Sequence, residues 1–221
     1  MKKILFVLTL VFFATTSFAQ NGVIKELVGT VEIKAAGSAN FVAATAGAQV
    51  AQDTVISTGF RSSAIIEVGS SIITVRPLTR LSLTEIQTTA ATENINVNLQ
   101  AGRVRVDVNP PAGARANLSV TGPTATASVR GTSFEVDTRN VFVGHGIVSF
   151  RGNNSRTQEF VVFGGDTSSV TPGGTVQDPI TTAINAISPP RPDAGVPSGI
   201  DTSNTRPRTP VANPGVGVDW Q

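Results

Sequence analysis

From Gly22 to about Val176, apolar residues recur at every second position in short runs, and the phase of that alternation resets at glycines. Val31/Ile33, Ala64/Ile66/Val68, Ile73/Val75, Leu81/Leu83, Ile95/Val97/Leu99, Val104/Val106/Val108 and Phe160/Val162 each give the pattern of a half-buried strand. No comparable window beyond the first 20 residues carries a helical stripe, and Ile180–Ile187 suits at most a turn or two of helix. The body is therefore all-β.

The resets say how the strands are joined. In ASVRGTSFEV (127–136) the apolar positions are odd up to Val129 and even from Phe134 onward. A change of parity turns the following side chains to the opposite face. The same happens across Gly102, between Leu99 and Val104, and across Gly144 and Gly146, between Val143 and Val148. Glycine inside a strand pattern marks a bulge, a corner or a close backbone approach. We expect a bulge at Gly131, after which Thr132 and Phe134 resume in the opposite phase. Arg130 is expected to lay its stem over the core and pair with a nearby acid. Gly29-Thr-Val-Glu-Ile33, Gly102-Arg-Val-Arg-Val106 and Gly146-Ile-Val-Ser-Phe150 share one pattern at irregular spacing, so they are no fixed-period array. A β-solenoid-like coil with glycine corners fits, with a β-sandwich as the alternative.

The two ends differ from this body. Lys2 and Lys3, an apolar run over 4–14, and Ser17-Phe18-Ala19 predict a signal peptide over 1–19, cleaved between Ala19 and Gln20. The run is shorter than the roughly 20 apolar residues of a spanning helix. No later segment is apolar enough, so no membrane-spanning segment is expected after cleavage. Loss of Lys2 and Lys3 leaves 15 basic residues against 15 acidic ones, which removes any case for nucleic acid. The chain has no cysteine, and the strand domain, expected over 20–176, is long enough to fold without disulfides. Seven of the 13 prolines lie in the last 33 residues, so 177–221 is expected to be a Pro/Gly-rich, mostly disordered tail.

Catalytic chemistry has little to work with. His145 is the only histidine and lies between two glycines, and Gly-x-Ser-x-Gly is absent. Neither a zinc set nor a calcium loop is present in the sequence, so no metal and no cofactor are expected. Glu135 and Asp137, with Asp107 nearby after folding, are the one carboxylate group resembling a glycosidase pair. Arg103, Arg105 and Arg130 stand ready to balance them as ordinary surface charges.

The order of these motifs resembles the FecR domain, a periplasmic module named for a regulator of iron-citrate transport. The resemblance runs from about 22 to 165. It is carried by Gly29-Thr-Val-Glu-Ile33, Phe41, Gly47, Asp53–Gly59, Ser63–Gly69, Ile73–Pro77, Leu81-Ser-Leu83 and the Gly102 strand. Val129-Arg130-Gly131-Thr132-x-Phe134 is its most specific element, and Gly146-Ile-Val148 closes it. The resemblance implies a β-solenoid-like module without catalytic residues. In the best-known members this domain lies outside a membrane helix and a cytoplasmic segment that restrains a sigma factor, neither of which this sequence shows. The expectation is an exported, non-enzymatic module, periplasmic or secreted, that binds a protein or polysaccharide of the envelope. A soluble sensor or regulatory component of a cell-surface signalling system is the alternative, and a β-helical carbohydrate-active enzyme the third reading.

Overall fold

The computed structural model describes residues 21–89, 91–154, 159–180 and 182–183. The expected signal peptide, the Ala19–Gln20 cleavage site and almost all of the expected tail lie outside them.

Among the described residues, eighteen strands alternate between two nine-stranded sheets as the chain proceeds. In the first sheet lies β1 (Gly22–Val28), and in the second β2 (Val31–Lys34) with β3 (Val42–Ala43). The chain returns for β4 (Gln49–Val50), crosses for β5 (Val55–Thr58) and returns for the hairpin β6 (Ser63–Val68) and β7 (Ser71–Val75). The long hairpin β8 (Arg80–Thr88) and β9 (Thr92–Ala101) follows in the second sheet, then β10 (Arg103–Val108) in the first. Three more hairpins alternate sides: β11 (Arg115–Thr121) with β12 (Ala125–Val129), β13 (Ser133–Asp137) with β14 (Asn140–His145), and β15 (Ile147–Gly152) with β16 (Glu159–Phe163). In the first sheet again, β17 (Thr167–Val170) and β18 (Val176–Gln177) complete the series. Helical residues 179–180 and 182–183 coincide with the start of the expected helical turn; the rest of that turn is not among the described residues.

Both sheets grow in the same direction along the sequence, with orders β4-β1-β6-β7-β10-β13-β14-β17-β18 and β3-β2-β5-β8-β9-β11-β12-β15-β16. That progression is what a coil would give, but the pairing is not. Hairpins make neighbouring strands antiparallel, and among the described strands only β9 with β11 is parallel, where the chain makes one full coil through β10. The architecture is thus sandwich-like, and the solenoid expectation gives way to its alternative. The alternating runs bury as expected: Ile66, Ile73 and Val106 from one sheet join Leu83, Val97 and Val148 from the other in a single continuous core. Phe134 and Phe150 are its largest fully buried side chains.

The parity resets follow from this architecture. Residues pointing inward from one sheet point opposite to those of the facing sheet, so a crossing can show in the sequence as a switch in which alternate residues are apolar. Every crossing holds one residue of positive φ. Seven are glycines, among them Gly29, Gly102, Gly131 and Gly146, and the other three are Asp53, Arg61 and Leu78. Gly131, at φ 69°, is therefore a corner between sheets rather than a bulge within one. The register irregularity nearby lies between Ser133 and Phe134 of β13, opposite Gly144 of β14.

Candidate functional site

The Val129–Phe134 motif divides its residues among three tasks. Val129 and Phe134 enter the core, and Gly131 makes the corner. Thr132, 2% exposed, donates its hydroxyl to the Ile147 carbonyl at 3.0 Å and accepts from the Ile147 amide at 3.4 Å. It thereby locks the next crossing, at Gly146, onto its own. Two further crossings are locked in the same way. The Thr79 hydroxyl donates to the Arg103 carbonyl at 3.1 Å and accepts from the Arg103 amide at 3.0 Å, just past Gly102. The Ser62 hydroxyl accepts from the Thr30 amide at 2.8 Å, just past Gly29. Each hydroxyl follows a residue of positive φ: Arg61, Leu78 and Gly131. The three Gly-x-Val-x-apolar segments are therefore the receiving halves of three hydroxyl-clamped corners.

Arg130 behaves otherwise than expected. It is exposed and has no salt-bridge partner among the described residues. The acids it was expected to balance lie on the outer face of the first sheet, whereas β12 belongs to the second.

On that first face, cross-strand register places Glu135 beside Arg105 and Asp137 beside Arg103. Arg76 reaches Glu135 at 3.2 Å, Arg103 reaches Glu135 at 3.5 Å and Asp137 at 3.2 Å, and Arg105 reaches Asp107 at 3.1 Å. Burial pushes the Asp107 carboxyl up, but hydrogen bonds from Arg105 and Ser133 outweigh it and hold the group below the usual range. Asp137 is lowered likewise: burial opposes ionisation, and the Arg139 and Asn140 amides, the Asn140 side chain and the Arg103 charge overcome it. A glycosidase acid must stay protonated near neutrality, so these depressed carboxyls are fitted for the opposite state. Arg76, unanticipated from sequence, is the residue that completes the ladder. His145 sits exposed at the end of β14. No cluster of potential metal ligands occurs among the described residues.

The second sheet carries a different outer face. A concavity of about 770 Å³ crosses β8, β9, β11, β12, β15 and β16. Register sets Ser119 beside Ser128 and Ser128 beside Ser149, so three small hydroxyls floor a trough across the strands. Asn96 is opposite Ser119 on one side and Glu85 on the other, continuing that row. Asn94 and Asn117, also in register, bond side chain to side chain at 2.9 Å. Arg130 and Arg151 stand at the margins. Sequence reading missed this trough, although the outward positions of NINVN and NLSVT alternate amide and hydroxyl residues with buried apolar ones.

A family model described as FecR protein matches residues 54–162. Two crystal structures of a proposed anti-sigma factor from Parabacteroides distasonis ATCC 8503, at 1.65 and 2.50 Å resolution, resemble this chain at 16% identity. Their TM-scores are 0.45 and 0.44, over 60% and 59% of this chain and 64% and 63% of that one. This chain therefore spans less than two thirds of that protein. No curated protein matches it. With the ordered glycine corners and the Val-Arg-Gly-Thr-x-Phe motif in place, residues 54–162 of this chain form a FecR domain.

Proposed function

We propose that this chain is a non-enzymatic regulatory component of a cell-envelope signalling system, of the iron-transport-regulator type, and that it works after export as a periplasmic or secreted protein. The match of residues 54–162 to the FecR family carries this reading, since that family takes its name from a regulator of iron-citrate transport. The arginine-tied carboxylates agree with it, because they favour a rigid charged face over acid–base chemistry. No helix among the described residues is long and apolar enough to cross a membrane. In this reading a membrane-spanning partner on another chain carries the signal inward. The reading as a simple envelope-binding module keeps one specific support, the open trough of the second sheet.

The test is genetic. Deleting the gene in its host should change a defined set of transcripts. Full-length protein should restore them, and a form lacking residues 1–19 should not. An unchanged transcript profile would refute the regulatory role, and restoration by the form without residues 1–19 would refute action after export.

A further inference from the structure

We propose that the trough on the outer face of the second sheet binds an extended, carboxylate-bearing oligosaccharide. Its serine floor runs across the strands from β15 toward β8, four strand spacings or about 19 Å at roughly 4.8 Å each. Arg130 and Thr126 rise two residues to either side of Ser128, so the channel is about 13 Å wide between backbone positions at about 3.3 Å per residue. Those dimensions accept a single sugar chain lying flat.

The chemistry of the walls selects among polymers. β11 and β12 are hydrogen-bonded on both sides, so the floor offers no free backbone with which a peptide could extend the sheet. What it offers is side-chain amides and hydroxyls, donors and acceptors at once, which suit neighbouring sugar hydroxyls. Ile147, with exposed Phe163 opposite it on β16, gives an apolar patch at one end for a sugar's C–H face. The lining's charges balance, two glutamates against two arginines, but differ in what they are bonded to. Glu85 and Glu159 are already engaged as acceptors for Asn96 and Ser149. Arg130 and Arg151 have no salt-bridge partner among the described residues. Guanidinium forks without an ion pair can each take a ligand carboxylate through two parallel hydrogen bonds, whereas the two glutamates are held back by their own donors. As the input of a regulatory module the site rests on the reading above for its role. Binding is measured on the purified chain, so the two proposals fail separately.

Titration calorimetry on the full exported chain would compare short oligogalacturonates with neutral cello-oligosaccharides of equal length and with a glutamate-rich peptide of equal charge. The acidic sugar should bind saturably and at least about tenfold tighter than the neutral one. Arg130→Ala should weaken it about tenfold, a difference of about 1.4 kcal/mol. Ser128→Gln, filling the floor, should abolish binding, and Arg139→Ala, exposed beyond β13 in the other sheet, should leave it unchanged. Absence of saturable binding, binding that survives both trough variants, or tighter binding of the peptide would overturn the assignment.

Discussion

Replacing Gly102 with alanine tests whether the corners, rather than the strands, fix this fold. A Cβ built on Gly102 would lie 2.3 Å from the Thr79 hydroxyl, 2.5 Å from the Thr79 Cα and 2.7 Å from the Leu78 carbonyl. Two of those atoms belong to backbone, so no side-chain rotation relieves the clash. The residue would also have to hold φ at 87°, which costs an L-residue roughly 1–2 kcal/mol. Moving the two chains apart breaks the reciprocal bonds between Thr79 and Arg103, and a buried group left unsatisfied costs about 1–3 kcal/mol. Together these give about 2–5 kcal/mol, a large share of the roughly 5–15 kcal/mol by which a domain is stable. Gly131→Ala is the internal control. Its φ is 69°, but the nearest atom to the new Cβ is the Pro110 Cδ at 3.7 Å, ordinary contact, so about 1–2 kcal/mol is expected. The only tryptophan is Trp220, at the chain's end, so urea unfolding should be followed by far-ultraviolet circular dichroism. Adding Thr79→Ala should not rescue Gly102→Ala, because the Thr79 Cα and Leu78 carbonyl remain. Equal losses at the two glycines, or rescue by Thr79→Ala, would refute close approach as the cause.

Asp107 and Asp137 have folded-state pKa values below their unfolded ones, so their contribution is full above about pH 4–5 and is lost as pH falls further. The urea midpoint should be level from pH 8 to 5 and then fall, and the gap between parent and Asp137→Asn should close with it; a gap constant with pH would exclude the linkage. Glu93, 6% exposed, accepts both the Ser70 amide and hydroxyl, and Gly69 leaves room for its carboxylate at 1.9 Å from a would-be Cβ. Glu93→Ala should therefore cost about 1–3 kcal/mol in urea unfolding, and a loss below about 0.5 kcal/mol would show that this contact is incidental. The exported protein should begin at Gln20 by intact mass, and retention of Met1 would exclude cleavage.

The sequence shows corners only where the linker is too short to hide them. β9 and β10 are joined by Gly102 alone, and β14 and β15 by Gly146 alone, so the parity change is printed directly into the apolar pattern. Four residues join β5 to β6 and β7 to β8, and there the phase is absorbed: buried Ile56 and Ala64 are both even, Val75 and Leu81 both odd. Arg61 and Leu78 make those corners without glycine, so residue type gives no warning. The choice between coil and sandwich is hidden for a related reason. Alternation reports that one face of a strand is buried, but not which neighbour it pairs with. That neighbour is set by hairpins such as Asp137–Asn140, where the Asp137 carboxylate accepts the Arg139 and Asn140 amides at 2.8 Å each.

Arg130 shows how a motif can be architectural and still place a charged side chain on an open face. Its neighbours are committed to the core, the corner and the clamp, so its own side chain is the only part of Val129–Thr132 left to solvent. Expecting it to pair with Glu135 or Asp137 assumed that residues close in sequence share a face. The crossing at Gly131 breaks that assumption, because Arg130 directly follows a strand of one sheet and Glu135 sits in the other. The same crossing explains why the guanidinium stays open. Arg76, Arg103 and Arg105 saturate the acids on the first face. Thr132, bonded to Ile147 beyond the next corner, ties the end of β12 to the start of β15. Arg130 is thereby held beside the Ser128–Ser149 floor by the fold itself rather than by an ion pair. A charge positioned in this way is free to meet a ligand without first breaking a bond.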